Sequence, residues 1–375
     1  MTRPAASRPT VRRLHEHRQP AEPRPSAVLL AAALLCAAGL LVSCAARTLA
    51  PSPPARQGAA ARAFEPRPLH PFLGDRWIGQ GISYGPHRDG QRPGGPGPTR
   101  AQLREDLELL KGRWSLLRLY ASDGPSPDVL ALIREERLPF KVLLGAWIAP
   151  ESQAGAPGQP PTQLPEARAA NQAQVAEAVR LANAYPEVVL GLVVGNETQV
   201  EWSAHRVDPE VLVGWLREAR RSTALPVATA DDFGYWLRPE SDVVAREVDF
   251  LVTHVYAMWN GKPLDEALAF TQQKYGEVSR RHPGVPNVLG EAGWATRKHS
   301  EGEQATLIKA PAGEGPQRTF YEAFTAWVVR ERITSTWFEA FDENWKGGPH
   351  PDEVEKHWGL FRADRTPKAA AAVAP

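Results

Sequence analysis

The chain has 375 residues, with 44 basic against 43 acidic side chains and 42% hydrophobic content. That balance belongs to a globular protein with a sizeable core, and it excludes the basic field that holds a nucleic-acid backbone. Its two cysteines, Cys36 and Cys44, both lie near the N-terminus. The remainder therefore has no disulfide, no thiol nucleophile and no cysteine metal site.

Arg3, Arg8, Arg12, Arg13, Arg18 and Arg24 precede an uninterrupted apolar run, AVLLAAALLCAAGLLV, residues 27–42. A cationic segment followed by a short apolar one is the pattern of an export signal. Residues 1–44 are read as a signal peptide whose end, LVSC, resembles a bacterial lipobox with Cys44 as the acylated residue. The run also sits at the lower margin for a retained signal-anchor. Residues 45–71 are rich in Ala, Pro and Arg and read as a disordered linker. The expectation is an exported protein of a bacterial cell envelope, held at the membrane by a lipid or a signal-anchor, with its folded domain outside the cytoplasm.

From Phe72 apolar runs of strand length alternate with amphipathic helical stretches, the rhythm of a parallel sheet. The runs are WIGQGISYG ending at Gly85, LLRLYASD at Asp123, FKVLLGAWI at Ile148 and VVLGLVVGNE at Glu197, then PVATADD at Asp232, FLVTHVYAMW at Trp259, NVLGEAGW at Trp294 and TSTWFEAFDE at Glu343. Between them AQLREDLELLKG, NQAQVAEAVRLANAY, PEVLVGWLREARRS and RTFYEAFTAWVVRER carry apolar residues at helical spacing. Eight such units over residues 72–368 predict a single (β/α)8 TIM barrel, with residues 369–375 as a tail. An open doubly wound sheet is the rival, but no glycine-rich phosphate turn follows the first run.

Barrels of this kind place reactive residues at the C-terminal ends of their strands. Asn196-Glu197 ends the fourth run and Glu291 lies at the end of the seventh. Either acid alone is what a strand end meeting water produces. As a pair facing each other across a barrel mouth, they are what glycoside hydrolysis requires: one carboxyl protonated for the leaving oxygen, one anionic for attack or water activation.

Four motifs in order, GISYGPHRDGQRPG, VVGNE, LGEAGWAT and WFEAFDENWK, resemble the bacterial branch of glycoside hydrolase family 17, retaining (β/α)8 enzymes. The resemblance covers about residues 77–368 and implies roles position by position. Glu197 matches the acid/base, Glu291 the nucleophile, and Asn196 the amide that binds the sugar 2-hydroxyl. Tyr256 matches the tyrosine donating to the nucleophile, and Glu343 and Lys346 match residues near the sugar cleft. The chain departs from the family after Glu291, where Ala292, Ala295 and Thr296 replace Thr, Pro and Ser.

Trp147, Trp202, Trp236, Trp259, Trp294 and Trp345 fall at or just beyond strand ends, as do Tyr84, Tyr120, Tyr235 and Phe341. Each either packs the barrel top or offers an aromatic face to a pyranose ring. Trp294 and Trp345 adjoin the motifs, and Tyr120 and Tyr84 complete the candidate sugar-binding set. Arg118 and Asp89 either orient the acids or bind hydroxyls, Asp231-Asp232 either touches substrate or caps a helix, and His254 reads as a packed neighbour of the site. The implied activity is hydrolysis of β-1,3-glucan, with transglycosylation through the same intermediate and a non-catalytic glycan-binding lipoprotein as alternatives. No metal or organic cofactor, no nucleic acid and no second subunit is expected.

Overall fold

The computed structural model describes residues 64–155 and 159–374. The signal peptide, Cys44 and most of the linker lie outside the described residues. No described helix is long and apolar enough to cross a membrane. Each of the eight runs supplies one strand: β1 Gln80–Ser83, β2 Leu116–Leu119, β3 Lys141–Ala146, β4 Val189–Asn196, β5 Val227–Asp232, β6 Phe250–His254, β7 Asn287–Ala292 and β8 Ser335–Trp337. They close in chain order into a parallel barrel. All but the fifth run extend past the strand, so their last residues lie in the loops of the barrel mouth.

Helices α1 Arg100–Leu110, α2 Ser126–Glu135, α3 Pro165–Ala184, α4 Pro209–Ser222, α5 Leu264–Arg281 and α6 Glu314–Arg330 cover the outside. Their starts follow local chemistry. Thr99 and Gln102 form a reciprocal capping box on α1, and Asp208 accepts from the Glu210 N–H ahead of Pro209 on α4. Leu212, Val213, Leu216 and Ala219 give α4 its buried stripe. Between β5 and β6 the chain makes only two short helices, Phe233–Trp236 and Ser241–Ala245.

Strand parity sorts the core. Leu116, Leu143, Val193, Ala228, Phe250 and Val252 fill the barrel interior, while Leu117, Leu144, Val194 and Leu251 join the outer core beneath the helices. A small antiparallel pair, Phe72–Leu73 with Arg76–Trp77, lies at the barrel floor, where Leu69 and Leu73 pack on the interior cluster.

Ordered contacts extend past residues 72–368 at both ends. Asp249, buried just before β6, accepts from the Arg67 and Val227 N–H groups at 2.7 and 2.8 Å and is ion-paired with Arg220. The Arg67 guanidinium reaches the carbonyls of Leu225 and Arg220, and Phe64 stacks on Arg220. At the other end Ala370 and Ala371 are buried, Lys368 binds Asp342 at 2.6 Å, and Arg365 grips Asp106 through two nitrogens. The short apolar side chains of the tail and the fixed charges of Arg67, Arg365 and Lys368 are what hold these ends.

Removing the shared carboxylate at the floor leaves a nearly buried guanidinium without a counter-charge. Asp249→Ala is expected to destabilise the fold by about 3–5 kcal/mol, read as a lowered urea midpoint.

Candidate active site

Two strand irregularities aim the acids. Along β4, Val193 pairs with Ala228 but Asn196 pairs with Ala230, so β4 takes three steps against two on β5. Gly195 absorbs the extra residue with φ +82°, and a side chain there would press on Leu212. Glu197 follows at φ +51°, a left-handed conformation that a glutamate rarely adopts, with its N–H held by the Ala230 carbonyl at 2.8 Å. On β7, Leu289 pairs with Thr253 and Glu291 with His254, so Gly290 is the extra residue. Leu289 faces the outer core, and this one-residue shift turns Glu291 inward. A Cβ on Gly290 would lie 2.1 Å from Val252 Cγ1 and 3.0 Å from Arg118 Nη1.

Glu197, His254 and Glu291 converge at the mouth, each offering one polar atom within 4.8 Å of the others. Arg118, inward-facing on β2 and 1% exposed, ties them together. Its Nη1 lies 3.0 Å from Glu291 Oε1, 3.0 Å from His254 Nε2 and 2.9 Å from the Gly290 carbonyl, and its Nη2 donates to Asn196 Oδ1 at 2.7 Å. Because a guanidinium only donates, Nε2 of His254 must accept. The ring proton therefore sits on Nδ1 and donates to Glu197 Oε1 at 3.0 Å. Glu291 also accepts from Tyr120 at 3.0 Å on Oε1 and from Tyr256 at 2.6 Å on Oε2.

This environment separates the two acids. Burial raises the Glu197 pKa well above the ordinary carboxyl range, and the charge of Glu291 pushes it further. Burial also opposes ionisation of Glu291, but His254, Arg118 and the two tyrosine hydroxyls outweigh it and hold that carboxyl below its usual value. Burial depresses His254 to about 4, so it is neutral near neutral pH, and Arg118 and the phenols carry the stabilisation of Glu291. The two pKa values are thus driven apart, Glu197 upward and Glu291 downward, the division of labour that acid and nucleophile need. The three donor atoms are close enough to admit a cation, but Arg118 already supplies a positive charge at Glu291 and His254.

A second polar cluster lies at the end of β8. Lys346 Nζ sits 2.7 and 2.8 Å from the oxygens of Glu339 and 2.9 Å from Glu343 Oε2. Glu343 Oε1 accepts from Trp345 Nε1 at 3.0 Å and lies 3.2 Å from His87 Nδ1. Burial opposes its ionisation, yet Lys346 and these donors hold it at about 2. A side chain at Gly85 would strike this carboxylate. Trp345 remains 40% exposed beside it.

The structure thus gathers Glu197, Glu291, Asn196, Tyr256 and Tyr120 around one point, and Glu343, Lys346 and Trp345 around another. Two residues leave the sugar-binding set. Trp294 is fully buried, its indole N–H bound to the Pro311 carbonyl at 3.1 Å. Tyr84 is buried against Phe341, its hydroxyl 3.1 Å from Asp106. Both lie where the chain has turned outward, so their rings pack the wall. Asp231 and Asp232 cap backbone N–H groups of the neighbouring loop and helix. His254 packs beside the site as expected, but it also bonds Glu197 directly. Sequence reasoning missed Glu339 and Glu355. Glu339 sits inside the WFEAFDENWK motif with no feature to separate it from Glu343. Glu355 accepts from Trp259 Nε1 at 3.1 Å, and its charge adds to the upward pressure on Glu197. It stands in a single 3-10 turn, Val354–Lys356, late in the chain and outside every strand and motif, which left it no signal.

Fold and site together define a (β/α)8 glycosidase with a two-carboxylate centre. The sequence matches the BtgE/BtgC glycoside hydrolase domain over residues 81–359, and the chain belongs to that family. It is 25% identical over 292 residues to a glucan 1,3-beta-glucosidase of Arthroderma benhamiae, covering 74% of this chain and 86% of the relative. A probable glucan endo-1,3-beta-glucosidase, btgC, of Aspergillus fumigatus is 21% identical over 291 residues, which cover 72% of this chain but 39% of that protein. Among solved structures, an endo-laminarinase from Formosa Hel1_33_131 superposes with TM-score 0.67 at 24% identity, covering 78% of this chain and 86% of that one. An active-site mutant of the Rhizomucor miehei beta-1,3-glucanosyltransferase, in complex with laminaritriose, gives TM-score 0.61 at 24% identity, with 78% and 96% covered.

Tyr256→Phe removes a donor that lowers the Glu291 pKa. The acidic limb of the kcat/KM profile, where the dyad first loses a proton, is expected to move to higher pH; an unmoved limb would show that this hydrogen bond does not hold the group ionised.

Proposed function

We propose that this protein is a retaining glycosidase acting on β-1,3-glucan, with Glu291 as nucleophile and Glu197 as acid/base. The observation that carries the reading is the convergence of two carboxyl groups, one oxygen of each within 4.8 Å of the other, with the pKa of Glu291 lowered and that of Glu197 raised. Retaining enzymes keep their carboxyls about 5–5.5 Å apart, whereas inverting enzymes need about 6.5–9.5 Å to seat a water. The glucan specificity is supported by the relatives' names and by the family.

In the first step Glu197 gives its proton to the glycosidic oxygen while a Glu291 oxygen bonds the anomeric carbon, and the leaving sugar departs as an alcohol. Since His254 occupies Glu197 Oε1, the acid proton belongs on Oε2. In the second step Glu197, now a carboxylate, takes a proton from the incoming hydroxyl as its oxygen displaces Glu291. Asn196 has its carbonyl oxygen committed to Arg118, which leaves its amide N–H groups for the sugar 2-hydroxyl. Glu343, Lys346 and Trp345, just beyond β8, offer charge and an exposed indole face to the sugar chain. Both acids and their supports are in place, which disfavours a purely glycan-binding role.

With the full exported chain and laminari-oligosaccharides, the first product is expected to carry the β-configuration by NMR. Glu197→Ala should cost about 10²–10⁴-fold in kcat, and Glu291→Ala should abolish turnover. An α-configured product would refute the double displacement.

We also propose that the protein is exported and tethered to the membrane through acylated Cys44, a reading supported by the cationic N-terminus, the apolar run and LVSC. Labelled palmitate fed to expressing cells should enter the protein, and Cys44→Ala should abolish the label and shift the protein out of the membrane fraction.

A further inference from the structure

The loop that follows the acid/base carries an indole with no packing duty. Trp202 is 66% exposed, the highest value among the large apolar side chains described as exposed. The base of its loop is fixed. Gln199 N–H donates to Asp231 at 2.8 Å, Val207 N–H donates to the Thr198 carbonyl at 2.9 Å, and Val200 and Val207 are buried. Such a loop holds Trp202 out from the rim without burying it. Three residues later on the same loop, His205 lies with its ring centroid 4.6 Å from that of Trp147, which leaves the end of β3. His205 Nε2 is buried and has no hydrogen-bond partner among the described residues. The backbone carbonyl of Asn196 lies beside the same ring. An aromatic pair and an unpaired ring nitrogen thus sit next to the residue that precedes the acid.

Chemistry decides which sugar this rim would meet. The proton leaves Glu197 for the glycosidic oxygen, so the departing sugar lies on the Glu197 side of the scissile bond, away from the carbon bonded to Glu291. The β3 and β4 loops border that side, whereas Trp345, Glu343 and Lys346 border the β8 side. The departing sugar and an incoming acceptor occupy the same place, because the second step reverses the first with a new hydroxyl.

We propose that Trp202, together with the Trp147–His205 pair, is the acceptor platform, and that it decides whether a sugar hydroxyl or water resolves the glycosyl-enzyme. A sugar stacked there would place its hydroxyl at Glu197 and exclude water from the same position. When it reacts, its proton passes to Glu197, its oxygen bonds the anomeric carbon, and the Glu291 carboxylate is released. The transfer product is one sugar unit or more longer than the acceptor, and no further reactant is consumed. This inference rests on the reading of the dyad given above.

The test supplies an aryl β-laminaribioside as donor and laminaritriose as acceptor, and follows transferred against hydrolysed product by mass spectrometry. Trp202→Ala is expected to need about two- to tenfold more acceptor for the same transfer fraction, the range that one aromatic stacking contact supplies. Trp202→Phe should restore most of the partition, and His205→Ala should weaken it in the same direction. A melting temperature unchanged in Trp202→Ala separates the effect from a folding defect. An active parent enzyme whose partition is the same in Trp202→Ala, or which transfers nothing at any acceptor concentration, would overturn the platform alone. A parent that never releases the aryl group would overturn the dyad reading and the platform with it.

Discussion

The site depends on one buried cation. Arg118 is removed from water in the barrel mouth, and a guanidinium so placed is costly unless its donors are matched. Its planar fork reaches four acceptors from three strands: Asn196 on β4, His254 on β6, and the Gly290 carbonyl and Glu291 on β7. Each contact has a chemical consequence. It keeps Glu291 anionic, orients the Asn196 amide and fixes the His254 tautomer. Through that tautomer it also fixes which oxygen of Glu197 is free to carry a proton. A lysine could supply the charge at this position, but its single nitrogen could not span the same acceptors.

The backbone makes room for this arrangement at points where side chains are forbidden. Gly290 lets the guanidinium pass and lets β7 gain a residue, so one position serves both ends. Gly195 does the equivalent for β4, and Gly85 clears space for the Glu343 carboxylate. Strand parity alone would have sent Glu291 toward the helices. Irregularities near the ends of β4 and β7 rebuild the backbone where the chemistry lies, which fits the general concentration of such features at active sites. The left-handed backbone at Glu197 belongs to the same local rebuilding.

Much of this was legible in the sequence because it follows from repeated, short-range patterns. Eight apolar runs separated by amphipathic stretches state the barrel, and Asn196-Glu197 and Glu291 stand out as polar residues ending apolar runs. What failed were inferences that needed side-chain direction beyond the last regular strand residue. Trp294 and Tyr84 sit beside the motifs yet face the wall, because the backbone turns within a residue or two of leaving the sheet. Glu339 is hidden among the other acids of its own motif, whereas Glu355 meets Trp259 from a distant part of the chain that no local spacing announces. The role of His254 was undervalued because a histidine in an apolar strand is more often filler, and only the Arg118 contact shows what it does.

The floor of the barrel has a consequence for how the enzyme meets a polymer. Phe64 and Arg67 are fastened beside Asp249 and Arg220, at the end of the strands away from the cleft. The described chain thus begins at the underside of the barrel, at the end opposite the cleft. A polysaccharide lying across the open top meets none of residues 64–67, which leaves this end of the barrel to serve stability alone.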